Sequence, residues 1–218
     1  GQTLLIISGE FDLSVGSVFG LAGINFIAFI GRGLGVWPSF IIVMIISALI
    51  GLLNAVVTLK GKVPSLIATL GSMFIFRGLA YFITAGFPAT LRRGTAGHFL
   101  IRILGGSFFF NNSLLWCLGL TLVFTFILSR TVFGNRVFGV GGDSRSAWSR
   151  GVNVFKVKMT SFITCSMLAG FAGVLAVAEL QSAHTTLGNR MELQAIASAV
   201  IGGVALTGGI GSIWGAVI

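Results

Sequence analysis

Acidic side chains are nearly missing from this sequence: five Asp and Glu stand against 14 Lys and Arg in 218 residues. Only 9% of the chain is charged, far below the roughly 25% of an ordinary soluble domain, which excludes a water-facing globular surface. His98 and His184 are far apart, and neither has a neighbour at ligand spacing, so metal binding has no support. Cys117 and Cys165 fall inside apolar runs and read as small core hydrophobes from which no redox compartment follows. The chain also has no GxxxxGK[ST] phosphate loop, no HExxH pair and no nucleophile elbow. Gly209-Ile210-Gly211 with Gly215 misses dinucleotide spacing and sits in an apolar run, where helix packing is the simpler use of glycine.

What the chain does have is hydrocarbon. Apolar residues make up 55%, and they come in runs rather than one-sided stripes, so the solvent for most of the chain is lipid. Six runs approach the roughly 20 residues that cross a bilayer as a helix: 13–30, 38–59, 66–85, 112–129, 159–181 and 193–218. Residues 1–8 look like the end of another. The expected fold is an all-α membrane protein, a polytopic helix bundle of six to seven spans forming a single domain over 1–218. The chain starts without Met and stops inside an apolar segment, so it is expected to be a piece of a longer protein truncated at both ends. No signal-peptide pattern is visible at Gly1. Small-xxx-small spacings such as Gly16 with Gly20 and Gly211 with Gly215 suit close helix packing in lipid.

A net charge of +9 would point to nucleic acid in a soluble protein. Here the basic residues are spread over membrane loops without interleaved aromatics, so no nucleic-acid partner is expected. Six of the 14 lie between Arg130 and Lys158, a soluble-looking island between two apolar runs, and such a loop normally faces the cytoplasm. Helix parity then puts Lys60 and Lys62 inside as well. It puts Arg32, Arg92, Arg93, Arg102 and Arg190 outside and leaves Arg77 within a span. Residues 86–111 become a structured outer loop.

The centre of the basic island, Gly141 to Gly151, reads as a short capped helix. Asp143 is its N-cap, Ser146, Ala147 and Trp148 continue it, and Gly151 is its C-terminal stop. A small helix held at the membrane surface is a docking device, which makes a cytoplasmic partner the first functional expectation.

Some polar groups do not belong in lipid. Glu10 and Asp12 interrupt one long apolar run, and a buried carboxylate there costs about 2.5–3.5 kcal/mol or more. Either a short turn at 9–13 separates two spans, or one span is broken there with Ser8, Ser14 and the backbone lining a cavity. Arg77 lies 11 residues beyond Leu66, roughly 16 Å into a core about 30 Å thick at 1.5 Å per residue, and must face protein or water. An ion pair with Asp12 or Glu10 is the natural expectation. Glu179 is expected at the outer interface.

Three segments together are familiar: SGEFDLSVGS (8–17), PSLIATLGSMFIFRGLAYFITAG (64–86) and GNRMELQAIASAVIGGVALTGGIGSIWGA (188–216). They resemble the membrane subunit of bacterial ABC importers of the ribose/xylose type, and the similarity runs from end to end. The resemblance implies a non-enzymatic, cofactor-free permease of the bacterial cell (inner) membrane that forms a monosaccharide path with a second permease copy. An ABC ATPase subunit would drive it from the cytoplasm, and a periplasmic or extracellular substrate-binding protein would deliver the solute. Residues 134–154 match the family's cytoplasmic loop, whose short helix inserts into a groove on the ATPase. That assigns coupling to Asp143, Ser144, Arg145, Ser146, Ala147, Trp148, Arg150 and Gly151, with Trp148 either an anchor in that groove or an anchor at the lipid interface. Candidates for the translocation path are Glu10, Asp12, Ser14, Arg77 and Glu192. The chain departs from the family pattern at Ser144-Arg145-Ser146, where Glu-Ala-Ala is usual, and at Glu10, where Gly is usual.

The alternative is an ion-coupled secondary transporter or channel, which needs paired ionisable groups along a midplane path. Glu10, Asp12 and Arg77 give that reading some substance. An intramembrane enzyme ranks last, because no polar catalytic groups occur on neighbouring spans at usable spacing.

Overall fold

The computed structural model describes residues 1–91, 94–106 and 111–217. Arg92 and Arg93 lie outside the described residues. The elements in chain order are α1 (Gln2–Ile7), α2 (Val15–Gly31), α3 (Val36–Leu59), α4 (Ser65–Thr84), β1 (Ala89–Thr90), a 3-10 turn (Thr95–Gly97), α5 (Phe99–Gly105), α6 (Asn112–Arg130), α7 (Val132–Gly142), α8 (Ser144–Ser149), α9 (Val154–Leu180), β2 (Ser182–Ala183), α10 (Met191–Ile201) and α11 (Ile213–Val217). The strands form a single antiparallel pair, Ala89 opposite Ala183.

Four of these helices, α3, α4, α6 and α9, are long and apolar enough to cross a membrane, against the six to seven spans expected. Their outer faces carry unpaired bulk such as Ile41, Ile45 and Leu49 on α3, Phe74 and Phe82 on α4 and Leu122 and Phe126 on α6. That much exposed hydrocarbon is tolerable only in lipid. Two further apolar runs do not form helices of that length. Helix α2 is apolar but only 17 residues long, and it is the central element, buried from Val15 to Ile27 and packed against α9, α4 and α3. The run 193–218 is not one helix: α10 stops after 11 residues, residues 202–212 turn, and α11 starts again in the opposite sense. Hydropathy does not register this break. It is made by backbone at Gly203, Gly208 and Gly209, all at positive φ, where glycine carries no steric cost.

Two clusters of buried side chains mark the two ends of the bundle. One joins Ile30, Val36, Leu100, Ala80 and Ala183; the other joins Ile7, Val137, Val140, Ala147, Val157 and Val204. The connections at 32–35, 85–91 and 94–98 therefore share one face with β1 and β2, and 130–153 share the other with the 8–14 turn. Lys60 and Lys62 lie on this second face, because Ser65, just beyond them, accepts a hydrogen bond from the Phe11 N–H at 3.2 Å. Among the described residues, Arg32 and Arg102 thus lie on the face opposite Lys60, Lys62 and the basic island, as parity predicts, with one correction. Arg190 is not in an outer loop. After β2 the chain turns back along α2, with the Leu187 carbonyl against Gly20 and Gly188 against Gly16. Gly16 lies 15 residues before the end of α2, roughly 22 Å below its outer tip. Arg190 follows directly, at φ 66, as the N-cap of α10.

Segment 8–14 is a turn between two antiparallel helices, not a break within one span. Gly1 packs beside Cys165 and Leu168, at the level of Phe19 in α2, while Ile7 reaches Gly141 at the basic face. At that point three stretches of backbone meet. A methyl group on Gly141 would overlap the Ile7 carbonyl oxygen, and one on Gly209 would crowd Gly142. The Gly209 N–H donates to the Ile7 carbonyl at 2.8 Å. Gly141→Ala is therefore expected to destabilise the protein by about 1–3 kcal/mol or more, the range for overpacking against a backbone that cannot yield. A thermal unfolding series on purified protein checks it, with Gly139→Ala, which meets nothing within 4 Å, as the near-neutral control.

Candidate functional site

Polar groups gather in three places. The first is the basic face. Helix α7 packs Gly134, Val137 and Val140 inward and presents α8 beyond it. The Asp143 carboxylate caps α8 as the sequence predicts: Oδ1 accepts from the N–H of Arg145 at 2.9 Å and of Ser146 at 3.3 Å, and Oδ2 from the Ser146 hydroxyl at 2.6 Å. That hydroxyl, followed by the two backbone donors, holds the Asp143 carboxyl below the usual carboxylate range. The other end closes as a Schellman motif, with Gly151 N–H to the Trp148 carbonyl at 2.9 Å and Val152 N–H to the Ala147 carbonyl at 3.0 Å. Gly151 has φ 81. Ala147 is buried, whereas Trp148 is 73% exposed and Arg145 and Arg150 are exposed. Ser144 ties α8 back to α7 through the Val140 carbonyl at 2.7 Å. A hollow of about 410 Å³ lies between α7 and α8, lined among others by Arg136, Asp143, Ser146 and Arg150.

The second place is the 8–17 segment. Asp12 is fully buried, and its Oδ1 accepts from the Ser14 N–H at 2.7 Å and hydroxyl at 2.6 Å. Asn54 Nδ2 donates to the Ser14 hydroxyl at 2.9 Å, and the Ser72 hydroxyl donates to Asn54 Oδ1 at 2.6 Å. One chain of hydrogen bonds thus joins α4, α3 and the turn. Ser65 and Thr69 on the same face of α4 receive the backbone N–H groups of Phe11 and Leu13, and the Ser17 hydroxyl reaches the Met73 carbonyl at 2.9 Å. Glu10 lies apart from this network and pairs with Lys158 at 2.6 Å.

The third place corrects the expected partner of Arg77. It pairs with neither Asp12 nor Glu10. Its Nη1 donates to Asn189 Oδ1 at 2.8 Å, and its Nη2 faces Glu192 Oε1 at 3.6 Å, with Glu192 in the first turn of α10. Of the five candidates for the path, then, Asp12 and Ser14 share one network, Arg77 and Glu192 share another cluster, and Glu10 belongs to neither. Asn189 was invisible to sequence reasoning. So was the exposed polar stripe Arg190, Gln194 and Ser198 on one side of α10, although its four-residue spacing inside an apolar run was the available signal. Glu179 lies near the C-terminal end of α9, on the face opposite the basic one, accepting from Asn111 at 2.6 Å and Ser113 at 2.8 Å.

Two outcomes follow from these geometries. Asn54→Ala removes the link between Ser72 and Ser14 and leaves buried hydroxyls without their partner, an expected loss of about 1–3 kcal/mol, read as a lowered unfolding temperature. The Asp143 cap is a depressed carboxylate, so its contribution is complete at neutral pH, above the unfolded value. It is lost as pH falls below the ordinary carboxylate range through the lower folded value. Hydrogen exchange at the Arg145 and Ser146 amides should rise across that acidic window and stay flat above it, corrected for intrinsic rate.

The comparisons with known proteins agree with one another. The whole chain, residues 1–218, matches the family described as branched-chain amino acid transport system / permease component. The ribose import permease protein RbsC of Escherichia coli K12 is 34% identical over 224 residues, which cover 100% of this chain and 68% of that protein. The protein of the same name from Bacillus subtilis is 34% identical over 223 residues, covering 67% of its length. The autoinducer 2 import system permease protein LsrC of Yersinia pseudotuberculosis is 28% identical over 225 residues, covering 61% of its length. No solved structure matches the chain. With its apolar spanning helices and an end-to-end match, this chain belongs to the branched-chain amino acid transport system / permease component family and is a multi-pass permease of the bacterial inner membrane.

Proposed function

We propose that the chain is the membrane subunit of an ATP-driven importer and forms, with a second permease copy, the path for a monosaccharide or similar small polar solute. An ATPase on a separate polypeptide supplies the free energy from the cytoplasm, and a substrate-binding protein delivers solute to the opposite face. The basic face of the bundle is the cytoplasmic one in this reading. The observation that carries the proposal is α8: a helix of six residues, capped at both ends and anchored by Ala147, that holds Trp148, Arg145 and Arg150 out into water. An isolated helix of that length is unstable, so two caps and an anchor spent on an exposed aromatic indicate a surface built for a partner. The import-permease names of the relatives support the same class.

In mechanism, the groove of the ATPase moves α8 as a rigid body. The displacement passes through Asp143 to Gly141 and Gly142, and from there by direct backbone contact to Ile7 and Gly209. The 8–14 turn and the 202–212 turn then shift together, tilting α2 and α10 and alternating access between faces.

Trp148→Ala should weaken retention of the co-purified ATPase by about 2 kcal/mol or more, the loss typical of a central aromatic anchor, and Arg150→Glu should uncouple solute uptake from ATP hydrolysis. Unchanged retention and uptake in both variants overturn the docking role. Labelling of a Ser146→Cys variant from outside intact cells overturns the orientation.

A further inference from the structure

The Arg77–Glu192 pair is unusual for a structural ion pair. The two groups stand 3.6 Å apart, beyond hydrogen-bond length, and Glu192 Oε2 and Arg77 Nη2 are both buried with no hydrogen-bond partner among the described residues. The Glu192 side chain is 8% exposed and is pressed from behind by Gly16, where even a methyl group would overlap Oε2. It therefore cannot retreat into the bundle. Arg77 is part exposed and Asn189 is exposed, so the cluster opens on the side away from α2.

We propose that Arg77, Asn189 and Glu192 form a subsite on the permeation path that recognises adjacent hydroxyl groups of a neutral sugar or polyol; this rests on the importer reading above. A hydroxyl both donates and accepts. One that reaches the pair donates to Glu192 Oε1, the carboxylate oxygen turned toward Arg77, and accepts from the Arg77 guanidinium, while Oε2 stays against Gly16; its neighbour reaches the Asn189 amide. The pair carries no net charge, which suits an uncharged solute better than an anion or a cation. Its depth fits a path: Arg77 stands 12 residues beyond Ser65, roughly 18 Å along α4. Below it the exposed stripe Arg190, Gln194, Ser198 continues along α10 toward the basic face. Those polar groups would be costly against lipid at that depth, and they suit a hydrated passage.

The test uses cells carrying the complete importer, with this chain as wild type, Glu192→Gln or Asn189→Ala, supplied with labelled D-ribose and its 2-deoxy and 3-deoxy analogues, at matched membrane levels. Glu192→Gln is expected to cut D-ribose uptake about tenfold, the loss of one charge-assisted hydrogen bond. It should also narrow the ratio of D-ribose to at least one deoxy analogue by about threefold or more, because a site that pairs a hydroxyl discriminates against its absence. Selectivity imposed by a delivery protein is common to all variants, so a changed ratio reads this chain alone. Asn189→Ala, in an exposed position, should narrow the ratio in the same direction and decides the matter if Glu192→Gln does not reach the membrane. Equal loss for all three sugars, as from a register-fixing ion pair, or unchanged ratios in both variants, overturns the subsite and leaves the importer reading standing. Wild-type cells that show no ATP-dependent uptake of these or of any other monosaccharide overturn the importer reading and the subsite with it.

Discussion

Backbone that leaves the helix inside a bilayer must find every hydrogen-bond partner within the protein, and the arrangement of this bundle follows from how it meets that demand. At 8–14 the N–H groups of Ser8, Gly9 and Glu10 turn back on α1, and those of Phe11, Leu13 and Ser14 are taken by Ser65, Thr69 and Asp12. At 184–190 the chain is laid along the glycines of α2, with Leu187, Asn189 and Met191 closing local turns. At 202–212 the Ala205 N–H bonds Ile210 and the Gly209 N–H bonds Ile7. The 8–14 and 202–212 stretches thus donate to groups on α4 and α1, and those bonds form only while the neighbouring element stands in one position. The stretches therefore fix the helices as much as the helices fix them.

The polar interior divides accordingly into parts with different work. The chain Ser72–Asn54–Ser14–Asp12 holds α3, α4 and the turn in register; all its members are buried, and it is completed within the protein. The Glu10–Lys158 pair fastens the turn to the start of α9 close to α8. Arg77 and Glu192 differ from both in being incomplete, with one donor and one acceptor unmatched. A finished network specifies structure, and an unfinished one is what the proposed hydroxyl subsite requires.

Sequence reasoning succeeded where the determining physics is local. Asp143 and Gly151 bracket α8 because capping needs only a carboxylate or a glycine within a few residues, and the apolar runs found α3, α4, α6 and α9 because length and composition alone decide those. It missed α7, whose inward face is Gly134, Val137 and Val140, because a glycine-rich stretch of modest hydropathy reads as loop. It took 193–218 for one span because hydropathy weighs what residues are made of and not where the backbone turns. It gave Arg77 a carboxylate nearby in the sequence of motifs, when the true neighbours, Asn189 and Glu192, are more than a hundred residues away. Long-range pairing at a membrane midplane is set by tertiary approach, and no local pattern encodes it.

The meeting of Gly9, Gly141, Gly142, Gly208 and Gly209 has a consequence for how this protein can diverge. Three segments separated by more than sixty residues of sequence touch there through main chain alone, so no side chain is available to be exchanged for a larger or smaller one. A change of curvature in any of the three must be matched in the other two at the same time. Homologues should consequently inherit that spot as a block, with drift displaced onto the lipid-facing surface of the bundle, where Ile, Leu and Phe can trade places at little cost.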